Sequence, residues 1–398
     1  MKYNFDEIID RTNYHSVKWD ELGKKFGTDA KDVLPMWIAD MEFRSPKPVI
    51  EAIKKANEHG IYGYTSRPLS YYQAIINWME KRHNWKVKKE WIAYSPGVVP
   101  ALGLIIKAFC QHGDKVIIQP PVYYPFFRVI ENNGCHILKN PLKLKNGRYV
   151  IDFEDLERKV DEPRVKILIF CSPHNPVGRV WQKEEIIRLG EICLKNEVIV
   201  ISDEIHADIL FEGYTHTPFA SISQEFAQNS ITCTAPSKTF NLAGLQTSTI
   251  IIPNKKHYKI YDNILNSLEL SENNVFGLVA LEAAYRDGEE WLEQLLSYLN
   301  ENLEFLMKYF KERIPKIKVI IPEGTYLVWL DCRQLGLNAK ELNDFMIKKA
   351  RVALDDGYWF GTEGEGFMRI NIACPRSFLK EGLKRIERAV KDMTGDGS

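Results

Sequence analysis

The sequence predicts an α/β protein in which a large unit, a mostly parallel sheet sandwiched by helices, is joined to a smaller α+β unit. Three observations predict it. From about residue 90 to 252, short apolar β-branched runs alternate with helix-period stretches, the pattern of a parallel sheet with crossover helices. The last third changes character, with long helical stretches flanking two strand-like runs. Three turn motifs of unusual composition each come directly after one of the apolar runs, where open α/β sheets gather their ligands.

Taken in order, residues 1 to 45 are too short and turn-rich for a domain and are expected to pack on the small unit and the active site. Residues 46 to 285 form the expected large domain. Its strands are Lys115 to Gln119, Val165 to Cys171, Val198 to Ser202, Ser230 to Thr234 and Ser248 to Ile252, each nearly all apolar, as strands covered on both faces must be. Between two of them, Lys183 to Lys195 places Ile186, Leu189 and Cys193 on one helical face. Residues 286 to 398 form the expected small domain: helix Glu289 to Arg313, strand Thr325 to Leu330, helix Ala339 to Arg351, strand Phe367 to Ile372 and helix Phe378 to Lys391, with Thr394 to Ser398 frayed.

Composition narrows the function classes. Among 398 residues, 45% are hydrophobic and 27% charged, enough apolar surface for a full core. Lys plus Arg and Asp plus Glu both total 53, so no net field draws the chain toward nucleic acid or an anionic membrane. Seven scattered cysteines without C-x-x-C spacing argue against a disulfide framework and a zinc site, and no metal is expected. Met1 to Asp10 lacks the pattern of a signal peptide, and the longest apolar runs are far short of a membrane span, so a cytoplasmic protein is expected.

Four segments carry candidate chemistry. Ala235-Pro236-Ser237-Lys238 comes after an apolar strand, and a lysine desolvated there has a lowered pKa and acts as an amine nucleophile toward an aldehyde. In Ser202-Asp203-Glu204-Ile205-His206, a buried Asp203 suits a protonated heterocyclic nitrogen. In Ser172-Pro173-His174-Asn175-Pro176-Val177-Gly178, Asn175 offers an amide donor to a phenolic oxygen, and the bond before Pro176 is a cis candidate. Ser95-Pro96-Gly97-Val98-Val99 opens a helix to Cys110 whose first N–H groups and dipole favour a phosphate. Taken singly, each also reads as ordinary structure: a surface lysine, a helix N-cap, a tight turn, a Gly-containing helix start. The Gly-rich Gly361 to Gly366 lacks the flanking strand and helix of a nucleotide loop and carries two acidic residues, so it is set aside.

The order and spacing of Asn175-Pro176-Val177-Gly178, Asp203 with His206, and Ser237-Lys238 resemble the fold type I pyridoxal-phosphate enzymes of the aspartate aminotransferase superfamily. Trp37 to Phe43, Gly63-Tyr64-Thr65, Pro121 to Phe126, Cys171 to Trp181, Ala235 to Gly244, Arg369-Ile370-Asn371 and Cys374-Pro375-Arg376 look like its carbon–sulfur lyase branch, the MalY/PatB-type cystathionine β-lyases and the cystalysin-like enzymes.

The resemblance implies that Lys238 holds pyridoxal 5′-phosphate as a Schiff base and shuttles the α-proton, that Asp203 faces the pyridinium nitrogen, and that Asn175 bonds the phenolic oxygen near His206. It places Tyr123 on the ring, and Gly97, Val98, Val99 and Ser237 around the phosphate with Tyr64 of a neighbouring subunit, hence a homodimer. Arg369 and the main chain of Ala39 take the carboxylate of a small sulfur-containing amino acid. Two positions depart from the pattern: Gln246 stands where many aminotransferases carry a phosphate-binding arginine, and Ala235 replaces a frequent serine. The implied reaction is β-elimination from L-cystathionine, L-cysteine or S-substituted cysteines. Transamination and a pyridoxal-phosphate-binding regulatory protein are the alternatives.

Overall fold

In the computed structural model, which describes residues 2–27 and 32–395, two β-sheets organise the chain. The larger has seven strands: β1 Ile92–Ser95, β2 Lys115–Ile118, β3 His136–Lys139, β4 Val165–Cys171, β5 Ile199–Asp203, β6 Ser230–Thr234 and β7 Ser248–Ile251. Their order across the sheet is β1-β7-β6-β5-β4-β2-β3. The strands β3, β2, β4, β5 and β6 pair in parallel, whereas β7 runs antiparallel to both β6 and β1. A run buried on both faces carries no direction in its pattern, so Ser248–Ile251 reads equally well either way.

The sheet is covered on both faces, which is why its central strands do not alternate in polarity. In β4, Ile167, Ile169 and Cys171 pack in one cluster with Leu102 and Ile105 of helix α1, Val98–Phe109. Leu168 and Phe170 point the other way, toward Ile186 and Leu189 of helix α2, Lys183–Lys195. Strands β1 and β3 of this sheet are absent from the sequence-based expectation; β3 is a half-buried edge strand, and β1 is a buried strand that leads directly into α1. The expected strand from Val198 begins one residue later and takes in Asp203, which is therefore a strand residue and not a helix N-cap.

The second sheet is antiparallel: β8 Lys318–Ile320, β9 Leu327–Asp331, β10 Asp355–Asp356 and β11 Phe367–Asn371, in the order β8-β9-β11-β10. Helices α3, Glu289–Arg313, and α4, Arg376–Thr394, pack Leu303, Leu306, Leu379 and Leu383 into one core with its Leu330, Met368 and Ile370. The helix expected over Ala339 to Arg351 is α-helical only to Asp344 and then widens into a π-turn, Phe345–Lys349. Phe345, Met346 and Ile347 are all buried, and three consecutive side chains cannot share one α-helical face. α4 reaches Thr394 before Gly395 closes it; the fraying expected beyond that residue falls outside the described residues.

The N-terminal segment lies against the second sheet. Leu34–Pro35 pairs in parallel with Val352–Ala353, and Asn371 Nδ2 donates to the carbonyls of Ile38 at 2.7 Å and Asp40 at 2.6 Å. Among the described residues no helix is long and apolar enough to cross a membrane.

Candidate active site

The parallel register sets Cys171 beside Asp203 and Asp203 beside Cys233, so β4, β5 and β6 end together. The groups at their carboxyl ends therefore converge: the Asn175 turn after β4, Asp203 and His206 at the end of β5, and the short helix Pro236–Thr239 with Lys238 after β6. The N-terminus of α1 arrives from β1 at the same edge. Between them lies a cavity of about 180 Å³ lined by Gly97, Val98, Val99, Tyr123, Asn175, Asp203, His206, Ser237 and Lys238, with Ala39 from the N-terminal segment. It opens past Ala39, Tyr123 and Lys238 into a wider cleft of about 1130 Å³ that Arg369 also lines. Tyr64 lines neither space and is 96% exposed. The bond before Pro176 is cis.

Burial governs the charges. The Lys238 amine donates to the Ala39 carbonyl at 2.7 Å, and desolvation brings its pKa down to about 8, with Asp40 opposing the change and Arg369 reinforcing it. Desolvation likewise pushes Asp203 up to about 7, against a hydrogen bond from the Ile205 N–H at 3.2 Å and the charge of Lys238. His206 is held well below the ordinary histidine range by burial and by the positive charges of Lys238 and Arg369, and its Nδ1 has no partner. Burial raises the Tyr123 phenol above its usual range.

These side chains fit pyridoxal 5′-phosphate. A carboxylate so short of donors is suited to a protonated ring nitrogen, which would return Asp203 to its ionised form. Asn175 accepts from Arg369 Nη1 at 2.8 Å through Oδ1, which leaves its Nδ2 to donate elsewhere. At the start of α1 an added Cβ on Gly97 would stand 3.2 Å from Pro100 Cδ, a tight contact that glycine avoids at this corner of the cavity. The N–H groups of Val98 and Val99 are free of helical partners there, the usual means of holding an anion. Lys238 is the sole cation among the residues lining the inner cavity. Gln246 is exposed and outside that lining, and its main-chain oxygen accepts from the Tyr94 hydroxyl at 3.2 Å.

The sequence profile described as Aminotransferase class I and II matches residues 31–386. The chain belongs to this family. Its relatives include the cystathionine β-lyase PatB of Bacillus subtilis, 48% identical over 97% of this chain and 100% of PatB. A PLP-bound protein of Clostridium difficile 630 that bears an aminotransferase name superposes with a TM-score of 0.96 at 51% identity, over 98% of this chain and 100% of that one. Cystalysin from Treponema denticola, whose crystal structure contains pyridoxal 5′-phosphate, superposes with a TM-score of 0.96 at 40% identity, over 98% of this chain and 100% of cystalysin.

Three side chains at the site escaped the sequence reading. Tyr326 is buried, donates to the same Ala39 carbonyl at 2.9 Å and sets its ring against His206 at 6.0 Å between centroids. Asp40 leans on Lys238 electrostatically while pairing with Arg11 and Lys18. Asp355 forms a buried ion pair with Arg369. Asp40 lies within the stretch from Trp37 to Phe43 and Tyr326 within the expected strand Thr325 to Leu330, where neither pattern assigns them a role; Asp355 belongs to no local pattern.

Proposed function

We propose that this protein is a pyridoxal 5′-phosphate-dependent carbon–sulfur β-lyase that converts L-cystathionine, L-cysteine or other S-substituted cysteines to pyruvate, ammonia and a thiol. One observation carries the reading: a chain that overlaps the cystathionine β-lyase PatB almost end to end lines a single cavity with Lys238, Asp203 and Asn175. When bound, pyridoxal 5′-phosphate supplies an aldehyde that takes up amines and a ring that accepts the electron pair left at the α-carbon.

The chain's own residues do the rest. With its pKa near 8, a minority of the Lys238 amine is neutral and nucleophilic at physiological pH, far more than at the ordinary lysine value, and its Nζ takes the substrate's α-proton. Asp203 keeps a ring nitrogen protonated, and Asn175 donates to the phenolic oxygen beside His206. Tyr123 gives the cavity an aromatic wall. The start of α1 and the Ser237 hydroxyl hold the phosphate through neutral donors. Arg369 and the main chain of Ala39 fix the α-carboxylate, which sets the Cα–H bond toward Lys238. Once that proton is lost, a Cα–Cβ double bond forms as the bond from the β-carbon to sulfur breaks and the thiolate leaves; the released 2-aminoacrylate takes up water to give pyruvate and ammonia.

The active unit is a cytoplasmic homodimer, with Tyr64 reaching the partner's phosphate site. The same proton removal begins transamination, which the name of the Clostridium difficile relative keeps in view. The test is pyruvate and thiol release from L-cystathionine and from L-cysteine by cofactor-loaded protein without any keto acid. Sustained release over many turnovers is the expected result. Turnover only when a keto acid is supplied would assign an aminotransferase, and no turnover in either case a binding protein.

A further inference from the structure

Arg369 is 1% exposed, and its guanidinium is already engaged on three sides. Nη1 donates to Asn175 Oδ1 at 2.8 Å, and Nη2 donates both to the Trp37 carbonyl at 3.3 Å and to Asp355 Oδ2. The guanidinium carbon lies over the Phe360 ring, 4.8 Å from its centroid. A guanidinium carries five N–H donors, and three of these are spent. Nε has no partner although it is buried.

Asp355 is placed for this contact by the sheet, because it stands directly opposite Arg369 in the antiparallel pairing of β10 with β11. It is 1% exposed, and its second oxygen, Oδ1, has no hydrogen-bond partner. A buried carboxylate with one oxygen committed to one arginine is costly to keep unless the arginine's orientation matters. The other two anchors do not define the plane alone: Trp37 belongs to the N-terminal segment and Asn175 to a turn of the larger sheet. Asp355 is the anchor that shares a sheet with Arg369.

We propose that Asp355 is the positioning residue of the substrate-carboxylate site: it holds the Arg369 guanidinium in the orientation in which it lines the cleft. This rests on the assignment of Arg369 to the substrate carboxylate. Asp355 touches neither substrate nor cofactor, and it acts through Arg369. Because both Nη2 hydrogens have acceptors, a carboxylate gripped through Nη2 shares that nitrogen with Asp355, which ties the strength of the grip to this pair as well as its direction.

The test uses cofactor-loaded protein and two matched ligands that cannot eliminate, L-alanine and ethylamine, which differ only in the carboxylate. Each is titrated by the absorbance change of the bound cofactor. Wild type binds L-alanine more tightly than ethylamine. In Asp355→Ala the affinity for L-alanine falls at least about tenfold while that for ethylamine changes less than about threefold, because only the carboxylate contact is misaligned. Asp355→Asn, which keeps an acceptor for Nη2, recovers at least half of the lost discrimination on a logarithmic scale and carries the test if the alanine variant does not fold. In Asp355→Ala the KM for L-cystathionine rises with the loss of L-alanine affinity, and in Asp355→Asn it recovers in step with it.

Unchanged L-alanine affinity in both variants overturns the proposal, and so does equal weakening of both ligands. Wild type that fails to discriminate the two ligands instead overturns the role of Arg369 itself, on which the proposal stands.

Discussion

Replacing Lys238 by Met should stabilise the cofactor-free protein while abolishing turnover. The lysine amine is kept at a pKa of about 8 in the folded chain, whereas the ordinary value is 10.5. A base whose folded pKa is depressed costs stability once the pH falls below its unfolded pKa, because the unfolded chain takes up a proton that the folded one refuses. At 1.36 kcal/mol per pH unit, the penalty is about 3 kcal/mol at pH 7 and under about 1 kcal/mol at pH 10. Met preserves the length and packing of the stem, and the Ala39 carbonyl keeps its hydrogen bond from Tyr326. Urea unfolding of wild type and Lys238→Met, both stripped of cofactor, at pH 7 and pH 10 measures the difference. The variant should be more stable by about 1–3 kcal/mol at pH 7, with most of that margin gone at pH 10. A variant no more stable than wild type at pH 7, or a margin independent of pH, would refute the argument that desolvation of Lys238 is what the fold sustains.

The remaining predictions concern the cofactor's surroundings. Gly178→Ala should destabilise the protein by about 2 kcal/mol or more and depress turnover, because the residue has φ +71° and a Cβ there would stand 2.5 Å from Pro322 Cβ and 2.9 Å from Pro322 Cα. An unchanged thermal midpoint would count against it. Tyr64→Phe should loosen the cofactor about five- to tenfold, the worth of one hydrogen bond, without altering the elution volume on size exclusion. Equal retention of cofactor by variant and wild type during dialysis would remove Tyr64 from the partner's phosphate site.

The site was legible in the sequence where chemistry comes directly after a strand. Lys238, Asp203 and Asn175 each stand just after or at the end of an apolar run, so local pattern places them at one sheet edge and the parallel register does the rest. Residues that reach the site through pairing between distant segments left no such trace. Asp355 meets Arg369 only because β10 lies against β11, and β10 is two residues long with nothing apolar in it. Tyr326 lies within the strand expected over Thr325 to Leu330 and just before the one observed, Leu327–Asp331, but the sequence does not say which carbonyl its hydroxyl will meet. The same limit applies to the fold: the apolar centre of the large sheet was readable, while the direction of β7 and the half-exposed edge strand β3 depend on connections and neighbours that periodicity does not encode.

The bond between Arg369 and Asn175 joins a strand of the second sheet to the turn that follows β4 of the larger one. Catalytic competence is therefore a report on whether the two sheets are docked, and it can be lost while each sheet keeps its own hydrogen bonds. The seam is apolar as well: Trp329 of β9 and Phe367 of β11 share one buried cluster with Leu168 and Phe170 of β4, so parting the sheets costs burial along with this bond.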